Sequence, residues 1–201
     1  MCAPGMTAPA DARARVPLTR RAHDRVGRVL ETGGRAVDAT AGNGHDTRFL
    51  ARQVGPQGHI WAFDIQSAAI AACRERLREQ ELAQRVTLHQ AGHERMAELL
   101  PDRARGRLRA VMFNLGYLPG SDKRVTTQPD TTRTALNTAL EWLHPDGLIS
   151  ILVYRGHAGG MAEAEAVADW LAGLEASGAG YERHGGTAPG APILYLVRRS
   201  A

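Results

Sequence analysis

Apolar and polar positions along this chain switch between two periods. Residues 19–31 (TRRAHDRVGRVLE) carry Ala22, Val26, Val29 and Leu30 at helical spacing, and Thr32-Gly33-Gly34 closes that helix. Short apolar runs then alternate with helical stretches. Strands are predicted over 35–39, 58–64, 85–89, 108–114 and 147–154, the last being the most apolar. Helices are predicted over 45–53 and over 67–80, the latter with Ile70, Cys73 and Leu77 inward. Two more are predicted over 131–143, capped by Thr131 or Thr132, and over 161–176, with Val167, Trp170, Leu171 and Leu174 on one face. Residues 179–186 and 192–198 read as a closing hairpin. Five strand–helix alternations and a hairpin imply an α/β fold, a mostly parallel sheet with helices on both faces. Ligands of such sheets bind beyond the carboxyl ends of the strands, so the informative residues follow 39, 64, 89, 114 and 154.

Composition narrows the class. The 201 residues are 43% hydrophobic and 23% charged, ordinary for a globular domain and far from disorder. Two cysteines, Cys2 and Cys73, exclude a disulfide scaffold and read as free thiols. No run approaches the length of about 18 apolar residues that a membrane span needs. The start (MCAPGMTAPADARARVPLTRR) lacks the apolar stretch of a secretion signal, so a cytoplasmic protein is expected. Residues 1–16 are rich in Ala, Pro and Arg without periodicity and read as a flexible tail, with one domain over 17–201. Net charge is +4, and Lys123 is the single lysine among 25 basic residues. Six arginines between Arg13 and Arg28, against Asp11 and Asp24, form a possible footprint for phosphates.

The first crossover, Asp38-Ala-Thr-Ala-Gly-Asn-Gly-His-Asp46, joins a strand to a helix. Gly42 and Gly44 permit close approach of backbone to ligand, and the helix start offers N–H groups to an anion. A dinucleotide site would want a third glycine, where this chain has Thr47, and pyrophosphate would be repelled by Asp38 and Asp46. A zwitterion with a cationic centre fits better, its carboxylate on the amides and its ammonium or sulfonium near the aspartates. S-adenosylmethionine has those charges. Asp64, ending the second strand, can accept both ribose hydroxyls of an adenosine, with Gln66 beside it. Gly92 and His93, after the third strand, stand where an adenine amino group is met. His89 and His93 have the spacing of a metal pair, but no third ligand accompanies them, and no metal is expected.

Three segments carry a resemblance: Asp38–Thr47, Ala62-Phe-Asp-Ile-Gln66, and Phe113-Asn-Leu-Gly-Tyr-Leu-Pro-Gly-Ser-Asp-Lys123. Over about residues 19–200 the chain resembles the rRNA methylase family of class I S-adenosylmethionine-dependent methyltransferases, whose members are understood as tRNA wobble-uridine methyltransferases. The resemblance implies a Rossmann-like, seven-stranded sheet with an antiparallel last strand. It implies cofactor contacts at Asn43, Asp46, Asp64, Gln66 and His93, and conversion of 5-aminomethyl-(2-thio)uridine to the 5-methylaminomethyl form. Ser121 stands where a second glycine is common, and the arginine-rich tail is extra.

Asn114, after the fourth strand, is placed to face the methyl donor. Its amide oxygen, and a backbone carbonyl at 114 or 115, can accept the hydrogens of an incoming amine and aim its lone pair. The block is similar to the Asn-Pro-Pro-aromatic site of amino-methylating enzymes, with Pro119 displaced. Tyr117 can stack on the target base, and Asp122, His93 and His157 are candidate proton acceptors. Leu115, Gly116, Lys123, Arg155 and His157 complete the candidate substrate contacts, Lys123 as an RNA phosphate contact. The expected partner is tRNA at its anticodon region, and a homodimer is possible. Three alternatives stay open: methylation of another acceptor such as an rRNA base or a small amine, an NAD-dependent oxidoreductase, and a non-catalytic RNA-binding module.

Overall fold

The computed structural model describes residues 16–116, 126–157, 159–176 and 178–199. The strands are β1 (Arg35–Asp38), β2 (His59–Phe63), β3 (Val86–His89), β4 (Leu108–Leu115), β5 (Leu143–Val153), β6 (Tyr181–Gly185) and β7 (Ile193–Val197). The α-helices are α1 (Leu18–Val26), α2 (His45–Gln53), α3 (Ser67–Arg78), the single-turn α4 (Met96–Leu99), α5 (Pro129–Trp142) and α6 (Gly160–Ala176). One seven-stranded sheet runs β3-β2-β1-β4-β5-β7-β6. It is parallel through β5, and β7 pairs antiparallel with both β5 and β6.

Side chains that alternate along each strand build a core on each face, because successive Cβ atoms point to opposite sides of a sheet. Val37, Phe63, Val111, Phe113, Ile149 and Ile151 pack with Trp142 and Trp170 on one face. Ala36, Ile60, Ala110, Met112, Leu148 and Leu152 meet Leu50, Cys73 and Val26 on the other. Strands buried on both faces read as continuous apolar runs, which is why 147–153 stood out in the sequence.

Most elements match their expected ranges to within about two residues, and two depart further. The first helix stops at Val26, where Gly27 favours a turn over continued helix, yet Val29 and Leu30 still reach the core. The crossover from β3 to β4, where no helix was expected, holds α4 and flanking 3-10 turns, and Leu100 before Pro101 leaves helical geometry. β5 begins four residues early: Leu143 pairs with Leu108, and the register then shifts before Ala110 meets Leu148. The tail expected over 1–16 lies outside the described residues, apart from Val16.

Strand order reverses between β1 and β4, so their crossover connections leave towards opposite faces and open a crevice at the carboxyl edge. Both functional loops named from the sequence start there.

Candidate active site

The loop after β1 is shaped by two left-handed glycines, Gly42 at φ 49° and Gly44 at φ 77°. A Cβ on Gly44 would also lie 2.8 Å from Cys73 Sγ, so this glycine lets α2 start against α3. The amides expected to stand bare are partly committed. Gly42 donates to Asp64 Oδ2 at 2.9 Å, and Gly44 donates to the Ala41 carbonyl at 2.8 Å. Gln66 N–H donates to the other Asp64 oxygen at 2.9 Å. Asp64 therefore staples the β1 loop to the β2 loop.

A cavity of about 690 Å³ opens between these loops and β4, within the ~300–1,000 Å³ usual for ligand pockets. Gly42, Asn43 and Asp46 line it from the first loop, Asp64 and Gln66 from the second, Gly92 and His93 from the third, and Asn114 and Gly116 from the fourth. Three of its lining groups are carboxylates, Asp46, Asp64 and Glu94, and no described lining residue is arginine or lysine. His93 is almost fully buried, edge-on to Phe113. Its Nδ1 lies 3.2 Å from the Ala39 carbonyl, a contact that requires the proton there and leaves Nε2 an acceptor. Burial lowers its pKa below the usual imidazole value and keeps the ring neutral.

Asp38 does not line the cavity. It is fully buried beneath it, accepting Thr47 Oγ1–H at 2.6 Å and Thr40 N–H at 3.1 Å. Burial, followed by repulsion from Asp46, pushes its pKa up to about 7, against the opposing pull of the two hydrogen bonds. Gly44 and Leu115 also lie outside the lining. The Leu115 side chain is buried and its carbonyl accepts Tyr154 N–H at 3.0 Å within the sheet, so it has a structural partner already. Arg155 is turned away: its guanidinium donates to the carbonyls of Ala191, Ala188 and Gly186 at 2.8, 3.1 and 3.3 Å and holds the turn before β7. The His157 ring abuts Gly116 and Gly160 and faces Glu163 rather than the cavity. His89 stacks on Phe63 at 4.9 Å, apart from the role His93 takes. Tyr117, Asp122 and Lys123 lie outside the described residues.

Asn114 is held at both ends. Its N–H donates to Thr40 Oγ1 at 2.7 Å, and its side-chain Nδ2 donates to Asp46 Oδ2. The second Asp46 oxygen meets His23 Nε2 at 2.6 Å, and the His23 ring lies flat on Phe49 at 4.0 Å. Sequence reasoning missed His23, whose only trace was a polar residue beside Ala22 and Val26 on an otherwise apolar helix face. It also missed the clasp behind Gly116. Gly116 N–H donates to Thr127 Oγ1 at 3.1 Å and its carbonyl accepts Thr126 Oγ1–H at 2.8 Å. Thr127 and Thr132 donate in turn to the buried Glu163 of α6. No local pattern marks a carboxylate some forty residues away as its support.

Comparison with known proteins follows the same lines. The family model described as "Putative rRNA methylase" matches residues 60–185. A chloroplastic tRNA (mnm(5)s(2)U34)-methyltransferase of Arabidopsis thaliana is 40% identical over 174 residues, which cover 81% of this chain and 62% of that protein. The chain thus spans under two thirds of this curated relative. A "putative rRNA-methylase" of Clostridium thermocellum superposes with TM-score 0.85 at 38% identity, covering 90% of this chain and 97% of that one. A "putative methyltransferase" of Streptococcus mutans, solved in complex with SAH, gives TM-score 0.77 at 32% identity over the same shares. With more than half of its length matched by the family model and its glycine loop, Asp64 and Asn114 converging on one crevice, the chain belongs to the rRNA methylase family.

Proposed function

We propose that this chain is an S-adenosylmethionine-dependent methyltransferase converting 5-aminomethyl-(2-thio)uridine at the tRNA wobble position to 5-methylaminomethyl-(2-thio)uridine. The observation that carries it is the charge of the cavity. Three carboxylates and no described arginine or lysine line it, in a chain with 25 basic residues. Such a site suits a cationic nucleoside and repels the pyrophosphate of a dinucleotide. The donor set fits as well. Each Asp64 oxygen receives one backbone N–H and keeps lone pairs for ribose hydroxyls, and neutral His93 offers Nε2 to an amino group.

S-adenosylmethionine, when bound, supplies a methyl group on a positively charged sulfur. The chain's own part is orientation and exclusion of the wrong charge. Asn114 Nδ2 is engaged by Asp46, so its Oδ1 remains to accept an N–H from an amine and fix the direction of the nitrogen lone pair. The amine reacts in its neutral form; an unpaired carboxylate beside it would favour the protonated form, and the hydrogen bonds that Asp46 accepts from His23 and Asn114 weaken that pull. Stacking of the base on Tyr117, proton acceptance by Asp122 and a phosphate contact by Lys123 complete the reading from the sequence. The anticodon region of tRNA as partner, a homodimer and a cytoplasmic setting belong to the same proposal. No described helix is long and apolar enough to cross a membrane.

The test is incubation of the protein with methyl-labelled S-adenosylmethionine and tRNA bearing either an aminomethylated or an unmodified wobble uridine, followed by nucleoside mass spectrometry. Label in 5-methylaminomethyluridine is expected only from the first. In a parallel incubation with rRNA, label there and none in tRNA would select another acceptor, and no transfer at all would refute the reading.

A further inference from the structure

Three charged or polar side chains from three distant stretches of sequence meet at the cavity wall: His23 of α1, Asp46 of α2 and Asn114 of β4. The carboxylate of Asp46 is used at both oxygens, Oδ1 by His23 Nε2 at 2.6 Å and Oδ2 by Asn114 Nδ2. Asp46 and Asn114 line the cavity, and His23 stands behind them, partly open to solvent. The groups facing His23 are Asp46 and His45 of α2, with the Phe49 ring lying 4° from parallel to the imidazole.

An asparagine amide has two nearly isosteric orientations, and the torsion that exchanges them is soft. One presents an acceptor oxygen to the cavity, the other two N–H donors. A carboxylate only accepts, so Asp46 selects the orientation in which Nδ2 is turned towards it. The exposed atom is then Oδ1, which matches an acceptor with hydrogens to give, such as an amine. The opposite orientation would point donors at those hydrogens. Asp46 can impose the choice only if it is itself held. A carboxylate in the first turn of a helix has rotamers to swing through, and Asp46 lies close enough to the buried Asp38 to repel its ionised form. The short contact from His23, whose ring plane is set by Phe49, opposes that swing.

We propose that His23 is a positioning residue for methyl transfer: by donating Nε2–H to Asp46 it locks the Asn114 amide with its oxygen towards the acceptor, and so favours amine over other acceptors. This inference rests on the functional reading above, and His23 itself is not among the residues that line the cavity.

Two variants and two readouts separate the possibilities. His23→Leu removes the donor, whereas His23→Gln restores a side-chain N–H. With His23→Leu, kcat for aminomethylated tRNA is expected to fall about ten- to hundredfold, the range for losing one charge-assisted hydrogen bond. The affinity for S-adenosylhomocysteine, measured by calorimetry, is expected to stay within about threefold, and His23→Gln to recover most of kcat. Independently of turnover, the Asn114 side-chain amide resonances are assigned through Asn114→Ala. In the wild type they should show the downfield displacement of a charge-assisted bond, lose it in Asp46→Asn, and broaden or move in His23→Leu. The proposal is overturned if Gln and Leu are equally impaired, if nucleoside affinity falls in step with kcat, or if the Asn114 amide signals ignore both substitutions. Should the wild type methylate no tRNA, the functional reading fails on its own, and the resonance experiment still decides whether His23 sets Asn114.

Discussion

Replacing Asp38 with Asn probes the buried carboxylate beneath the cavity floor. Its pKa rises from the ordinary 3.8 to about 7 on folding. At about 1.4 kcal/mol for each pH unit between the two values, ionising Asp38 costs the folded protein about 4 kcal/mol more than the unfolded chain. The sign follows from linkage. Below about pH 4 the group is protonated in both states and contributes nothing. Between about pH 4 and 7 the unfolded chain ionises first, so stability falls as pH rises, and above about pH 7 the full cost is present. Asparagine keeps an acceptor for Thr40 N–H and cannot ionise, and Thr47 can turn its hydroxyl to accept from the new amide. Urea unfolding of the wild type and Asp38→Asn at about pH 5 and pH 8 isolates this group together with its coupling to Asp46, because titrations elsewhere are common to both proteins. Relative to the variant, the wild type should lose roughly 3 kcal/mol between those conditions. Parallel pH profiles would show that Asp38 is not held neutral by burial, and the argument would fail.

Three further outcomes are expected. Asp64→Ala removes the staple between the β1 and β2 loops and should weaken S-adenosylhomocysteine binding about ten- to hundredfold by calorimetry; unchanged affinity would detach Asp64 from the nucleoside. Glu163→Gln turns an N–H₂ towards one of the two threonine hydroxyls that now donate to the carboxylate. It should cost about 1–3 kcal/mol in urea unfolding, and a change under about 0.5 kcal/mol would remove the clasp as a stabilising element. Arg21 and Arg183 face one groove of about 440 Å³ beside α1, and neither has a carboxylate among the described ion pairs. Double replacement by alanine should weaken tRNA binding in fluorescence anisotropy and flatten its dependence on salt, while an unaltered salt slope would place the phosphates elsewhere.

Much of this site was legible because its signals are local. Gly42, Asn43, Asp46, Asp64, Gln66, Gly92 and His93 follow strands whose apolar runs announce themselves, Asn114 stands near the end of one, and the topology then brings strand ends together. What stayed hidden depends on where side chains turn. Asp38 ends β1 as a ligand-binding residue would, but strand alternation sends it under the loop to Thr47. Arg155 follows β5 at the right edge, yet its guanidinium is taken by the carbonyls of Gly186, Ala188 and Ala191. His23 and Glu163 act across 23 and 36 residues of sequence, on Asp46 and Thr127, and no periodicity encodes a contact at such range. The single turn of α4 carried too little apolar periodicity to be read, and Pro101 marks where it ends.

The way Gly116 is tied has a bearing on how this family can change. Its N–H and carbonyl reach the hydroxyls of Thr127 and Thr126 and the backbone N–H of Thr127, so the chain leaves β4 and returns to α5 through neighbouring anchor points. Whatever is inserted between such anchors meets only a slowly growing closure entropy, about 0.6 kcal/mol for each doubling of length. A change in the number of residues between these anchors should therefore cost the fold little and leave the strands around the cavity in register.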